Sequence, residues 1–195
     1  MSLKKILAAK YVLASKSARR AKLLTQIGLK HKMVDSKSEE LEVSKYNPIK
    51  LVRINALKKS RIVAEGYKNE IVIGADTIVL IGNTILHKPA NLNEAKKFLK
   101  KLSGKKHYVY TGLNVINTKN SKEEFAYEKT EVVFRKLNDE EINYYVNKFK
   151  PLDRAGAYGI QDDFGCLFVE KINGDYYNIM GLPLVRLYST IKKVI

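Results

Sequence analysis

The chain has few of the residues that build disulfides and tight transition-metal sites. It contains one cysteine, Cys166, and three histidines in 195 residues. A single cysteine excludes an internal disulfide and a cysteine-rich metal site, and this usage is typical of a reducing compartment. We therefore expect a cytoplasmic protein without a tightly held transition metal.

Long apolar runs are also missing. No run approaches the length of a membrane span, and the apolar core of residues 1–10 is too short for a signal peptide. There is no repeat, low-complexity segment or linker. A chain of 195 residues with 45% hydrophobic content can bury a real core. We expect residues 1–195 to form one ordinary domain or two small lobes, without a membrane partner.

Acidic residues are the scarcer charge. There are 20 of them against 36 Lys and Arg, which gives a formal net charge of +16. Such an excess favours an anionic partner, whether nucleic acid, acidic lipid or a phosphorylated small molecule. Because the basic residues are spread along the chain, the charge alone does not choose among these partners.

One carboxylate stands inside the most apolar stretch. Asp76 lies between the runs 71–73 and 78–81, which are short and β-branched and therefore predict buried strand on both sides. A carboxylate in that place costs free energy unless a cation, a metal or several donors meet it. Gly74 and Ala75 leave room for a ligand. The alternative is a turn Asp that caps its own backbone, and this stretch alone does not decide.

A second candidate site follows the first predicted strand, residues 11–15. Ser17 is a predicted N-cap and Gly28 a predicted helix end. The free backbone donors at a helix N-terminus favour phosphate, and Arg19 and Arg20 add bidentate geometry. Arg at a helix start opposes the macrodipole, so we favour an anion site over a capped helix with solvated basic residues.

A long helix is predicted from the cap Asn47 to about Ala64. Lys58 and Lys59 each fall on an apolar stripe of it. A lysine in such a stripe either snorkels or reaches an anion, so the pattern does not separate the two. Before this helix, Glu40 belongs to a small acidic cluster at 39–42. That cluster is either a metal or water-activating group or a solvated loop of mixed charge.

The remaining patterns predict strands and helices in alternation. Strands are predicted over residues 30–35, 84–86, 107–116, 125–134, 166–172 and 176–179. Helices are predicted after the capping pairs Asn91–Glu94 and Asn138–Glu141, and after Pro183. Residues 153–161 show neither the helical nor the strand period and are rich in small side chains. This composition indicates a closely packed loop.

Together these motifs resemble the Maf family of nucleoside triphosphate pyrophosphatases over nearly the whole length. The matching blocks are LAS at 13–15 with Ser17 and 19–20, GADT at 74–77, KP at 88–89, LSG at 102–104 with His107, TG at 111–112, AGAYGIQ at 155–161, and GD at 174–175 before GLP at 181–183. The resemblance implies an elongated α/β fold of the inosine-triphosphatase-like type. In such a fold a mixed, curved sheet is flanked by helices, and two lobes surround a central cleft.

The resemblance also implies a reaction. Water attacks the α-phosphorus of a nucleoside triphosphate with the help of a divalent ion, Mg or Mn, and the products are a monophosphate and pyrophosphate. The family's proton acceptor falls on Asp76. Other catalytic positions of the family fall on Glu40, Lys59 and Lys88; Lys59 fits the family spacing better than Lys58, which stays open. The substrate-binding positions fall on Ser15, Arg19, Arg20, Thr77 and Gln161. A homodimer is implied as well.

The base-selecting positions indicate a branch of the family. Arg19, Thr77 and Gln161 are similar to the branch that hydrolyses dTTP and UTP, whereas another branch carries an aromatic residue at the first position and prefers 7-methyl-GTP. The chain departs from the family at Asp162, which adds a negative charge beside Gln161, and at Arg154, where the family usually has Lys. We expect an active enzyme on dTTP and UTP. The alternatives are the same chemistry on a modified nucleotide such as 7-methyl-GTP, or a basic nucleic-acid-binding module. The sequence shows no recognisable nucleic-acid-binding motif.

Overall fold

The computed structural model describes residues 2–43, 45–161 and 164–195. Its strands are β1 (Tyr11–Leu13), β2 (His31–Met33), β3 (Ile71–Ile81), β4 (Thr84–Leu86), β5 (Lys106–Asn117), β6 (Lys122–Phe134) and β7 (Val169–Asn173). They form one mixed sheet in the order β2-β1-β3-β5-β6-β7, and β4 pairs with β3 outside that path. β1 runs parallel to β2 and β3, and the pairs from β3 to β7 are antiparallel.

Helices flank this sheet. They are α1 (Leu3–Ala8), α2 (Ala18–Gln26), α3 (Pro48–Ala64), α4 (Leu92–Leu102), α5 (Asp139–Phe149), α6 (Tyr176–Ile179) and α7 (Leu184–Val194), with 3-10 turns at Ala155–Ala157 and Gly165–Phe168. The predicted caps all accept a backbone N–H: Ser17, Asn47, Asn91 and Asn138. The predicted mixed α/β fold is confirmed.

Three elements differ from the sequence predictions. Residues 176–179 form α6 and not a strand, because the side chain of Asp175 accepts hydrogen bonds from the backbone N–H groups of Tyr177 and Asn178 and so caps a helical turn. The strand predicted over 166–172 begins only at Val169, since a 3-10 turn precedes it. The short helix α1 was not predicted, because it buries Ile6 alone and so shows no periodic pattern.

The capping box predicted at the start of α4 is also incomplete. Asn91 accepts the backbone N–H of Glu94 as expected. The Glu94 carboxylate, however, accepts from the backbone N–H of Ala90 at 2.6 Å and not from that of Asn91. The prediction was therefore right for the N-cap and wrong for its reciprocal partner. The box predicted for Asn138 and Glu141 is present in full.

Asp76 lies inside a continuous strand. β3 runs for eleven residues through it, and Asp76 pairs with Gly112 of β5. A turn that caps its own backbone is thereby excluded. Because side chains alternate along a strand, Asp76 and Thr77 point to opposite faces of the sheet.

Two glycines bring α3 unusually close to the sheet above Asp76. A Cβ on Gly74 would lie 2.4 Å from the carbonyl oxygen of Ala56, and one on Gly112 would lie 2.6 Å from that of Val52. Any larger residue at either place would push α3 away. The close approach puts the inner face of α3 directly over the carboxylate of Asp76.

The edge of β3 is open beside Asp76. In the described part of the chain β1 pairs with β3 only as far as Ile73, and β4 pairs with it only from Val79 onward. Between them no strand covers that edge, so its backbone polar groups need other partners. The candidate site lies at this opening.

Candidate active site

The side chains that the sequence assigned to a site all line one cleft of about 380 Å³. They are Ser15, Arg19, Arg20, Glu40, Lys59, Asp76, Thr77, Lys88 and Gln161. The elements that bring them together are separated by up to 146 positions in the sequence, between Ser15 and Gln161. The structure thus places the whole predicted set in one cavity, while the role of each residue stays a prediction.

Asp76 forms the buried floor of this cleft, with 4% of its surface exposed. Lys59 of α3 donates to Oδ1 at 2.7 Å, and Asn55, one turn earlier on the same helix, donates to Oδ2 at 3.0 Å. A buried carboxylate is stable only when it is paired and hydrogen-bonded. A carboxylate offers about four lone-pair positions, so two stay available after these bonds.

The same ammonium group holds a second carboxylate. Glu40 Oε1 lies 2.7 Å from Lys59 Nζ and 3.5 Å from Lys88 Nζ. Burial raises the pKa of Glu40, but the charges of Lys59, Lys88 and Arg20 outweigh burial, so this pKa lies below its usual value. Glu40 is therefore ionised at neutral pH, and Lys59 bridges two carboxylates.

The structure separates the two lysines that the sequence left open. Lys59 is 6% exposed and faces the cleft. Lys58 donates to the backbone oxygen of Glu39 at the surface and does not line the cleft. The apolar stripe that contains Lys59 packs inward: Val52 and Ala56 are inaccessible.

Arg20 closes the open edge of β3. Its guanidinium donates to the backbone oxygens of Ala75 at 2.9 Å and Gly181 at 2.8 Å, and to the hydroxyls of Ser15 and Thr77 at 3.3 and 3.0 Å. An arginine has five N–H donors, and protein groups take four of these. Besides its expected role as a phosphate ligand, Arg20 thus holds the cleft wall together.

Thr77 is one end of a line of hydroxyl groups that runs under the cleft. Its Oγ1 lies 2.9 Å from Oγ1 of Thr111, the residue opposite it on β5. Thr111, which is wholly buried, donates in turn to the backbone oxygen of Asn178 at 3.2 Å. The Asn178 side chain is anchored on Val109 and Thr130, so this line of hydroxyls is fixed at both ends.

Arg19 lies at the mouth of the cleft and already has a partner. It donates to the carboxylate of Asp153 and, at 2.9 Å, to the backbone oxygen of the same residue. A substrate therefore meets Arg19 as part of an ion pair with Asp153, a cleft residue to which the sequence assigned no role.

The loop predicted over 153–161 also lines the cleft, in contact with α2 through Arg19. Tyr158 and Gln161 line the cleft, and Tyr158 OH lies 2.8 Å from Nε2 of the inaccessible His107. Burial lowers the pKa of His107 to about 4, so the ring is neutral at physiological pH. Asp162, the departure noted beside Gln161, lies outside the described residues.

The carboxylates fit a metal ion only if the substrate supplies part of its coordination. Among the described residues no group of three or more His, Cys, Asp or Glu side chains could hold a metal ion. Asp76 and Glu40 nevertheless face the same cleft and are held by one ammonium group. Mg²⁺ is commonly bound by one or two carboxylates together with substrate phosphates, and this pair suits that arrangement.

Two residues that shape the site were missed from the sequence. Asn55 was not noticed, although it lies four positions before Lys59, a spacing that places both on one helix face. Thr111 was recognised only as part of a matching block. Its bond to Thr77 follows from strand register, which the sequence pattern did not specify.

The family model and the curated relatives agree with each other. A family model described as Maf-like protein matches residues 10–194. A dTTP/UTP pyrophosphatase of Dictyoglomus thermophilum is 45% identical over 184 residues, which cover 94% of this chain and 95% of the relative. The enzymes of the same name from Bacillus mycoides and Thermoanaerobacter sp. are 46% and 45% identical, each over 94% of this chain and over 95% and 96% of their own lengths.

One solved structure is also similar. The Staphylococcus aureus Ham1 protein matches with a TM-score of 0.47 and 14% identity, covering 64% of this chain and 71% of that one; this likeness is too weak to support an argument. Within the described residues, no helix has both the length and the apolar character that a membrane crossing needs.

Proposed function

The chain belongs to the Maf-like protein family, and we propose that it hydrolyses dTTP and UTP to the corresponding monophosphate and pyrophosphate. Relatives that carry the name dTTP/UTP pyrophosphatase share 45–46% identity with nearly the full chain. The structural observation that carries the proposal is a buried, ion-paired carboxylate, Asp76, on the floor of a cleft lined by basic side chains. Phosphoryl transfer needs positioning and charge neutralisation of this kind.

In the proposed reaction Asp76 is the proton acceptor. The oxygen of a water molecule bonds to the α-phosphorus, and the bond from that phosphorus to the bridging oxygen of the β-phosphate breaks. Pyrophosphate leaves with the electron pair, and Asp76 takes the proton of the water through one of its remaining lone pairs. Lys59 donates to the Asp76 carboxylate, and Asn55 fixes its orientation.

The basic residues of the cleft suit a triphosphate. Lys88 and Arg19 are the more accessible cations at its rim, and the start of α2 adds backbone donors. A bound divalent ion, Mg or Mn, would neutralise phosphate charge, and Asp76 and Glu40 would hold it. We expect activity to vanish after exhaustive chelation and to return with added Mg²⁺ or Mn²⁺. Full turnover in metal-free buffer would exclude this part of the proposal.

Base selection rests on Arg19, Thr77 and Gln161, which lie in the same cavity as Asp76. Side chains that hydrogen-bond one edge of a base reject a substrate that leaves them unpaired. The aromatic residue that the 7-methyl-GTP branch carries is absent at position 19. We therefore expect dTTP and UTP to be better substrates than any purine nucleotide.

A nucleotide panel tests the proposal. The kcat/KM value is measured with pyrophosphate detection for the four ribonucleoside triphosphates, their deoxy forms and 7-methyl-GTP. We expect dTTP and UTP to be the best substrates and pyrophosphate to form in equal amount with the monophosphate. A purine as best substrate would overturn the base assignment, and release of orthophosphate alone would overturn the reaction.

Two sequence predictions go with this function as proposals. The cytoplasmic location and the homodimer rest on the composition and the family resemblance. The nucleic-acid-binding alternative would need duplex binding that stays tight at physiological salt and depends on sequence. The enclosure of Lys59 and Arg20 in the cleft argues against it, because these cations are buried and a duplex backbone would not reach them.

A further inference from the structure

The line of hydroxyl groups under the cleft has a direction. Each threonine hydroxyl has one proton and two lone pairs. The Asn178 carbonyl oxygen can only accept, so Thr111 donates its proton there, over 3.2 Å. Distance alone lets either hydroxyl donate in the 2.9 Å bond between the two threonines; the bond from Thr111 to Asn178 leaves Thr77 as the donor and Thr111 as the acceptor.

The same count of protons and lone pairs fixes which hydrogen-bonding group Thr77 presents to the cleft. A guanidinium never accepts, so the 3.0 Å bond from Arg20 takes one lone pair of Thr77 Oγ1. The Thr77 proton points to Thr111. Thr77 lines the cleft and is only partly buried, and what it has left for a ligand is one lone pair. Toward the cleft, Thr77 is therefore an acceptor.

We propose that Thr111 is a specificity-positioning residue, which makes Thr77 an acceptor for the N3–H group of uracil or thymine and thereby disfavours cytosine. This inference rests on the proposed function. Uracil and thymine both carry a proton on N3, whereas cytosine presents a lone pair there. Two lone pairs facing each other lose the hydrogen bond and leave a polar group unpaired, which costs far more than a missing contact in water.

Neighbouring groups hold the arrangement in place. Asn178 Nδ2 donates to the backbone oxygen of Val109 at 3.1 Å and to Thr130 Oγ1 at 2.9 Å. The Asn178 carbonyl, which receives the Thr111 proton, also accepts the backbone N–H of Gly181 at 2.9 Å. It therefore stays in position and cannot turn away from Thr111.

The test compares two substitutions at position 111. Thr111→Val keeps the shape and removes the hydroxyl, which frees the Thr77 proton to face the cleft. Thr111→Ser keeps the hydroxyl. We expect the ratio of kcat/KM for UTP to that for CTP to fall about 10-fold or more in Thr111→Val and to stay near the wild-type ratio in Thr111→Ser. Thr190→Val, at a buried threonine whose hydroxyl bonds within α7, is the matched control and should keep the ratio.

A folded Thr111→Val enzyme with the wild-type ratio would overturn the inference, as would a wild-type enzyme that turns over CTP as well as UTP. If Thr111→Val does not fold, Thr111→Ala carries the same expectation. Calorimetric binding of UMP and CMP gives a second measurement that needs no turnover: wild type should bind UMP more tightly, and equal binding would overturn the inference. Absence of any triphosphate hydrolysis by wild type would instead reject the proposed function, so the two failures are distinguishable.

Discussion

Asp76 and Thr77 are adjacent in β3, and the two faces of the sheet to which they point are built differently. The Asp76 face is packed against α3 and consists of charges: Lys59 bridges Asp76 and Glu40. The Thr77 face is a line of hydroxyls and carbonyls that ends at Asn178. We call these the charged face and the hydroxyl face.

The difference shows how each kind of polar group is made stable away from water. A buried charge needs an opposite charge, and removal of one partner leaves the other uncompensated. A hydroxyl needs one acceptor and at least one donor, so a chain of hydroxyls is stable without charge and has a fixed polarity. The charged face therefore suits proton transfer, and the hydroxyl face suits recognition of a base.

Of the changes that we predict, the loss of activity on neutralising Asp76 is expected to be the largest. Asp76→Asn removes the proton acceptor and keeps the side-chain shape. We expect kcat to fall about 10³-fold or more while the protein stays folded by circular dichroism. Asp139→Asn, at an exposed carboxylate paired with Lys100, is the control and should keep its activity. A well-folded Asp76→Asn enzyme with near-normal kcat would show that the charged face is not the reacting one.

Removing the central ammonium group tests the pairing itself. Lys59→Met removes the ion pair of Asp76 and leaves Glu40 with the more distant Lys88, and we expect the free energy of unfolding to drop by about 3–5 kcal/mol at pH 7, together with most of the activity. Because protonation relieves the repulsion, acidification should restore part of the lost stability. Denaturant titration measures both.

The neighbouring lysine provides the matched control. Lys58→Met changes the same helix by the same substitution, but at a surface bond to the backbone of Glu39. It should change the free energy of unfolding by less than about 1 kcal/mol. Equal losses in the two variants would mean that the pairing around Asp76 adds nothing beyond helix packing.

The loss of stability in mild acid is expected to come from a histidine outside the charged face. Of the effects that we predict, this one is expected to be the smallest. The pKa of His107 is about 4 in the fold and roughly 6.5 in the unfolded chain. Between these values the unfolded chain binds a proton that the folded chain does not, so the free energy of unfolding falls as pH falls, by about 3 kcal/mol in full. The Glu40 pKa is depressed, so its stabilising contribution is lost only at lower pH, as pH falls through its folded value.

The variant His107→Gln should remove the fall between about pH 6.5 and 4, whatever its effect on stability at pH 7. The measurement is the free energy of unfolding at several pH values across this window, with His31→Gln at the sheet edge as control. An unchanged slope in His107→Gln would show that another group causes the acid response.

The sequence predicted the charged face better than the hydroxyl face. Asp76 was visible as a lone carboxylate between apolar runs, and Lys59 as a lysine in an apolar stripe, because both are local patterns. The residues that brace the cleft are not local: Arg20 binds the carbonyl of Gly181, 161 positions away, and Thr111 meets Thr77 only through strand register. Hydrogen-bond direction depends on such contacts, so the sequence pattern did not specify whether Thr77 donates or accepts.

The same limit explains the error at α6. Residues 176–179 include aromatic and β-branched side chains, which favour a strand. The Asp175 side chain caps two backbone N–H groups, and the Asn178 side chain reaches Val109 and Thr130 on the sheet. These tertiary contacts override the local preference, and they also place the carbonyl on which the hydroxyl face ends.

The central claim is that water attacks the α-phosphorus on the charged face, and isotope labelling tests it most directly. UTP is hydrolysed by the wild-type enzyme in water enriched in ¹⁸O, and both products are analysed by mass spectrometry. We predict one ¹⁸O atom in UMP and none in pyrophosphate. Label in pyrophosphate with unlabelled UMP would place the attack on the β-phosphorus and contradict the account.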